Sequence, residues 1–351
     1  MAAYSTINKS TSYQSSFIYT GTGSANSFTD PGFQVDMQWT KRRDTTSNHV
    51  LSNSLVGVGK NVYPDLNDGQ ATEAQGVTAF DSDGYDVGTD SNWNGSGGTY
   101  ASWNWLAGTT SGLSGGTITP ASYSINTTSK FGMYKFTGTG STGTIAHGLG
   151  VIPRTLIIKR LDTTAGWALY HWKMGAGKYL KLDENGNATT SSDWWNDTNP
   201  DATVFTLGSN GDVNGSGGDY MAYAFGEVQG YSKFGTYVGN GTATYSSTDV
   251  APFIYTGFRP SFLMVKKYDG GGTAGWEMFD DKRAGYNDAN YKLVADTNDA
   301  ENTDTGRINL LTNGFKITTT GTGLNYSAAD YVYWAFGQTL VGSNGIVGTA
   351  R

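Results

Sequence analysis

Asp193-Trp194-Trp195-Asn196-Asp197, with His171 and Trp172 upstream, is the densest set of recognition chemistry in the chain. An exposed indole offers an apolar face for a sugar ring, and Asn and Asp can hydrogen-bond its hydroxyls. Neighbours on an extended segment face opposite ways, so an extended Trp194-Trp195 places at most one ring in a core. His171, Trp172, Trp194, Trp195, Asn196 and Asp197 are therefore the candidate glycan-binding residues. The competing reading gives the tryptophans to packing, at a sandwich rim or against a neighbouring subunit.

Catalytic patterns are weaker. His49, His147 and His171 have no acid and nucleophile at a family spacing. A glycosidase needs only two placed carboxylates, and nothing selects a pair among the 30 acidic residues. No catalytic residue is assigned, and the chain is read as a non-enzyme. Asp81-Ser82-Asp83-Gly84-Tyr85-Asp86 with Asp90 begins like a calcium loop but lacks the closing Glu and flanking helices. Leu311-Thr312-Asn313-Gly314-Phe315 occupies the matching place, so a turn suffices; no metal or cofactor is expected. Two basic residues followed by Asp recur at Lys41-Arg42-Arg43-Asp44, Lys159-Arg160-Leu161-Asp162 and Lys266-Lys267-Tyr268-Asp269. They read as charged strand ends, with Lys guarding an open edge.

These groups must be carried by strands. Charged residues are 15%, Gly is 50 of 351 residues and aromatics are 13%. Only five of the 30 acids are Glu, and Asp favours turns over helix interiors. The chain therefore reads as all-β with many Gly-rich turns. An aromatic strand is written three times: Tyr100-Ala101-Ser102-Trp103-Asn104-Trp105, Tyr220-Met221-Ala222-Tyr223-Ala224-Phe225 and Tyr331-Val332-Tyr333-Trp334-Ala335-Phe336. A domain-sized period predicts three tandem β-sandwich-like units. The Asp83-Gly84 and Asn313-Gly314 pairs between apolar runs predict hairpins.

The organisation expected is an N-terminal arm over 1–16, disordered or docked on a partner, and units over 17–110, 131–230 and 231–340. A Gly/Ser/Thr-rich linker over 111–130 would let the first unit move relative to the other two, and 341–351 is a polar tail. A net charge of −7 and a pI near 4.9 disfavour nucleic acid. No apolar run reaches a membrane span, and the polar N-terminus lacks a signal-peptide core. Without Cys, stability outside a cell would come from packing and assembly.

Several blocks carry a resemblance: Tyr4-Ser5-Thr6-Ile7-Asn8-Lys9, Lys41-Arg42-Arg43-Asp44, Phe80-Asp81-Ser82-Asp83-Gly84, His147-Gly148-Leu149-Gly150, Tyr231-Ser232-Lys233-Phe234-Gly235, Phe253-Ile254-Tyr255-Thr256-Gly257-Phe258 and Val341-Gly342-Ser343-Asn344-Gly345. Together the chain resembles a family of β-rich structural proteins of tailed bacteriophages, mainly marine ones, with no established site residues to carry over. The resemblance implies a virion surface protein assembled in the host cytoplasm. A tail-fibre or receptor-binding component is the first expectation, a capsid decoration or head fibre protein the second and a polysaccharide-degrading enzyme the third. Expected partners are further copies in a homo-oligomer, with a trimer favoured, other virion proteins through the arm, and host-cell glycan.

Overall fold

The computed structural model describes residues 5–108, 112–243, 251–283, 287, 291–304 and 306–339. It is all-β. The first stretch runs β1 (Gln14–Thr20), β2 (Asn26–Phe28), β3 (Met37–Arg42), β4 (Val50–Asn53), β5 (Lys60–Asn61), β6 (Ala71–Thr72), β7 (Val77–Phe80), β8 (Tyr85–Val87), α1 (Ser91–Asn94) and β9 (Thr99–Trp105). The second runs β10 (Ser122–Asn126), β11 (Phe131–Thr137), β12 (Gly143–Ala146), β13 (Thr155–Arg160), β14 (Trp167–His171), β15 (Lys178–Lys181), β16 (Thr189–Thr190), α2 (Ser192–Trp195), β17 (Val204–Leu207), α3 (Gly211–Asn214) and β18 (Asp219–Phe225). The third runs β19 (Ser232–Val238), β20 (Phe253–Tyr255), β21 (Phe258–Asp269), β22 (Glu277–Asp280), β23 (Leu293–Val294), β24 (Ile308–Leu311), β25 (Gly314–Ile317), α4 (Thr322–Asn325) and β26 (Asp330–Thr339). The aromatic strand is interior in each large sheet: β1-β9-β3-β4, β10-β11-β18-β13-β14-β15-β16 and β19-β26-β21-β22-β23. Both expected hairpins form, with Phe80 opposite Tyr85 and Leu311 opposite Gly314.

The Gly-rich turns have one physical cause. Asn94, Asn214 and Asn325 end one-turn helices and are fully buried. Each side-chain carbonyl accepts a backbone N–H, from Thr22, Thr139 and Asn240, all at 2.8 Å. Each amide donates to Gly88, Gly208 or Thr319. Gly21, Gly138 and Gly239 lie so close to the chain after these asparagines that a Cβ would overlap a carbonyl oxygen. The hydroxyls of Tyr100, Tyr220 and Tyr331 close the same turns, donating to Ser91, Gly211 and Thr322 and accepting from the N–H of Gly95, Gly215 and Tyr326.

Each aromatic strand is buried on both faces, which explains the near-continuous apolar runs of β18 and β26; β9 carries Ser102 and Asn104 on one of its buried faces. Tyr220, Ala222 and Ala224 pack in the second stretch's own core, beneath the small sheet of β12 and β17. Met221, Tyr223 and Phe225 face the other way, into a core shared with Ala101, Trp103, Trp105, Val332, Trp334 and Phe336. The three large sheets thus turn one face each toward a common interior. The apolar void left there is about 10 Å³, marginal for one water.

Three sequence expectations are corrected. The arm over 1–16 is not a free segment from Ser5 onward: Ile7 is in the shared core, Ser10 N donates to Gln338 Oε1 at 2.8 Å, and β1 already begins at Gln14. The arm packs on its own chain because β26 presents an apolar flank and a side-chain amide to it. The linker over 111–130 contains, from Gly112 onward, β10 and the buried Ile118, so that part carries sheet and core rather than a spacer alone. The first unit does not move separately, since its sheet is sealed into the shared core. The tail over 341–351 lies outside the described residues.

Candidate functional site

Of the six predicted glycan contacts, only Trp172 lines a described surface cleft. Trp194 and Trp195 are 3% and 1% exposed. They lie on α2, whose N-terminus is capped by Ser191 Oγ accepting from Asp193 N at 3.2 Å. A helical turn puts adjacent side chains about 100° apart rather than on opposite faces, so both rings enter the core. Trp194 stacks on Tyr179 with centroids 3.6 Å apart, and Trp195 packs edge-on against Tyr170. His171 is fully buried, and burial pushes its imidazole down to about 3. Asn196 and Asp197 are exposed and left-handed, with φ of 51° and 48°, where they end the helix. The six therefore form no single surface.

Trp172 reaches instead across the seam between the second and third sheets. Its indole N–H donates to Phe234 O at 2.6 Å, the Arg154 guanidinium carbon lies 4.4 Å from the ring centroid and Lys173 Nζ 4.0 Å. It lines a cleft of about 490 Å³ with Lys173, Glu227, Lys233, Phe253 and Tyr255. Phe253 and Tyr255 are two apart on β20 and hence share a face; they are 47% and 53% exposed. Lys233 Nζ lies 5.3 Å from the Tyr255 centroid and donates to Tyr255 O at 3.1 Å. Glu227 Oε1 accepts from Phe234 N at 2.9 Å, and its other oxygen lies 3.8 Å from Arg154. Two open rings beside fixed charges of both signs can stack on and hydrogen-bond a polyhydroxylated ring. Phe253 and Tyr255 were missed by sequence reasoning; their signal is an aromatic pair at strand spacing.

The recurring lysines are not edge guards. Lys41, Lys159 and Lys266 stand at matching register, opposite Ala101, Met221 and Val332, and all three are fully buried. Each crosses to the adjoining stretch: Lys41 Nζ to Asn298 O at 3.4 Å, Lys159 Nζ to Asn67 O at 3.2 Å and Lys266 Nζ to Asn185 O at 2.7 Å. Each also donates within its own stretch, to Arg42, Ala165 and Ala274. Burial draws all three down to about 8, against the pull of neighbouring carboxylates. Backbone pairs repeat the crossing, from Gln70 N to Leu161 O, Ala188 N to Tyr268 O and Glu301 N to Arg43 O. The order is cyclic: second to first, third to second, first to third. At the last seam Arg283 bonds Asp280 at 2.7 Å and Glu301 at 3.0 Å, and Glu301 also bonds Arg43 at 2.7 Å. These charges close the body rather than line an opening.

A family match covers residues 9–339. The chain belongs to the family described as Domain of unknown function (DUF7483). No curated protein and no solved structure matches the chain. The DUF7483 match spans all three large sheets and begins at Lys9, within the segment that packs on β26.

Proposed function

We propose that the chain is a non-enzymatic structural protein on the surface of a bacteriophage particle, built of three tandem β units, and that it binds host-cell glycan during adsorption. The observation that carries the binding role is the exposed pair Phe253 and Tyr255 in the seam cleft beside Lys173, Glu227 and Lys233. A stacked aromatic contact contributes about 0.5–1.5 kcal/mol beyond its buried area. Losing two should weaken binding about tenfold, since 1.4 kcal/mol is that factor. The test is adsorption of particles carrying Phe253→Ala with Tyr255→Ala. Adsorption at least tenfold weaker with unchanged melting supports this reading; unchanged adsorption removes it.

The cyclic locking of three sheets favours a second placement, as a capsid decoration protein stabilising the shell. Immunogold labelling of intact particles separates the two, tail label for the first and shell label for the second. Depolymerisation of host polysaccharide by the purified protein would replace both with an enzyme. The proposed assembly is a trimer, on the closed symmetry common to such particles and the stability a Cys-free exposed protein gains from buried interface. Sedimentation velocity reads it directly.

A further inference from the structure

We propose that the outer edge of β1 is a strand-addition site, which receives an extended segment of another protein as the second sheet receives β10. This does not rest on the glycan reading. Strand β1 pairs with β9 as β11 pairs with β18: Ser16 lies opposite Trp103, and Met133 opposite Tyr223. Gly21 N donates to Gly98 O, continuing the ladder toward β9. By alternation, residues 15, 17 and 19 face β9, while the backbone groups of Gln14, Ser16 and Ile18 point away.

The corresponding edges of the three sheets are treated in three ways. On the second sheet β10 covers the edge, with Ser124 opposite Met133 and Ser122 opposite Lys135. On the third, side chains take the strand's place: Phe234 N donates to Glu227, and Phe234 O accepts from the Trp172 indole. On the first, β1 is terminal among the described strands of its sheet, and a cleft of about 670 Å³ runs along it. Ser10, Thr11, Asp30 and Lys282 stand on the walls of that cleft; Gln14 and Ser16 lie deep on its floor, 2% and 7% exposed, and Ile18 is 45% exposed at its end. A strand edge with no neighbour, reached through a cleft, recruits an extended chain through main-chain hydrogen bonds, with side-chain contacts giving selectivity. The occupant's chemistry follows from the strand already accepted on the equivalent edge. Ser122-Tyr123-Ser124-Ile125-Asn126 sets small hydroxyl residues opposite the outward-facing backbone groups, and the hydroxyl-lined walls here suit the same kind of strand.

The probe is a fluorescent peptide of residues 119–128, titrated into the full chain and followed by anisotropy and by amide hydrogen exchange. Saturable binding is expected, with exchange at Ser16 and Ile18 slowed at least tenfold. Ser16→Pro removes an outward N–H at an edge, where proline is tolerated, and should weaken binding at least tenfold. The same loss is expected for a peptide N-methylated at the residue corresponding to Ser124, which leaves the protein unaltered and so holds even if Ser16→Pro fails to fold. Absence of saturable binding, protection appearing elsewhere than β1, or undiminished binding of the N-methyl peptide would each overturn the proposal.

Discussion

Lys41, Lys159 and Lys266 each hold an amine out of water against carbonyl oxygens from two parts of the chain. A neutral amine still has two N–H groups for two carbonyls, so losing the proton need not break the contacts. These lysines titrate near 8 in the fold and near 10.4 when unfolded. Below pH 8 both states are charged and the full burial penalty applies. From pH 8 to about 10.4 the unfolded chain binds more protons, so stability rises with pH. The melting temperature should therefore increase between pH 7.5 and 9.5, and Lys159→Met should flatten part of that rise. No rise over the same range would show that these amines remain exposed to water, with the same titration folded and unfolded. Trp194 makes a second residue-scale point. Because its ring is sealed in the core, Trp194→Ala should destabilise by about 3–5 kcal/mol in urea unfolding.

The elements that close the body are the crossing loops, whose backbones lie against the adjoining sheet. Gly69 shows how tight one crossing is: a Cβ there would meet Leu161 O at 2.9 Å and Thr163 N and O at 3.2 Å. Gly186, on the next crossing loop, would meet nothing within 4 Å. Gly69→Val should lower stability by about 1–3 kcal/mol through overpacking at the seam, while Gly186→Val should stay within about 0.5 kcal/mol. Denaturation midpoints measured at constant slope test the contrast. Equal effects would mean that the loops do not dock as described.

At the scale of the molecule, each large sheet has one apolar face that only the other two can cover. Residues 1–108 alone would leave Trp39, Trp103 and Trp105 without their neighbours from β21 and β26. The full chain should unfold in one calorimetric transition with matching calorimetric and van't Hoff enthalpies. The isolated fragment should bind a hydrophobic dye and show no sharp melt. Three separable transitions, or a well-folded fragment, would contradict the shared core.

Local chemistry was legible in the sequence wherever neighbours along the chain decide the outcome. Asp83-Gly84 and Asn313-Gly314 must turn, and Tyr331 to Phe336 must extend, because backbone sterics and side-chain alternation act over a few residues. The same alternation puts Phe253 and Tyr255 on one face of a strand, a signal the sequence reading passed over. The segment at Trp194 went the other way, since a single capped turn was enough to replace extension and bury both rings. Tertiary structure decided what depends on residues far apart. It gave Lys159 its partner at Asn67, drew Ser10 onto Gln338 of the third sheet, and set the Phe253–Tyr255 pair beside Trp172. Such contacts are selected by which apolar faces can seal one another from water, a property of three sheets together that no single stretch of the chain encodes.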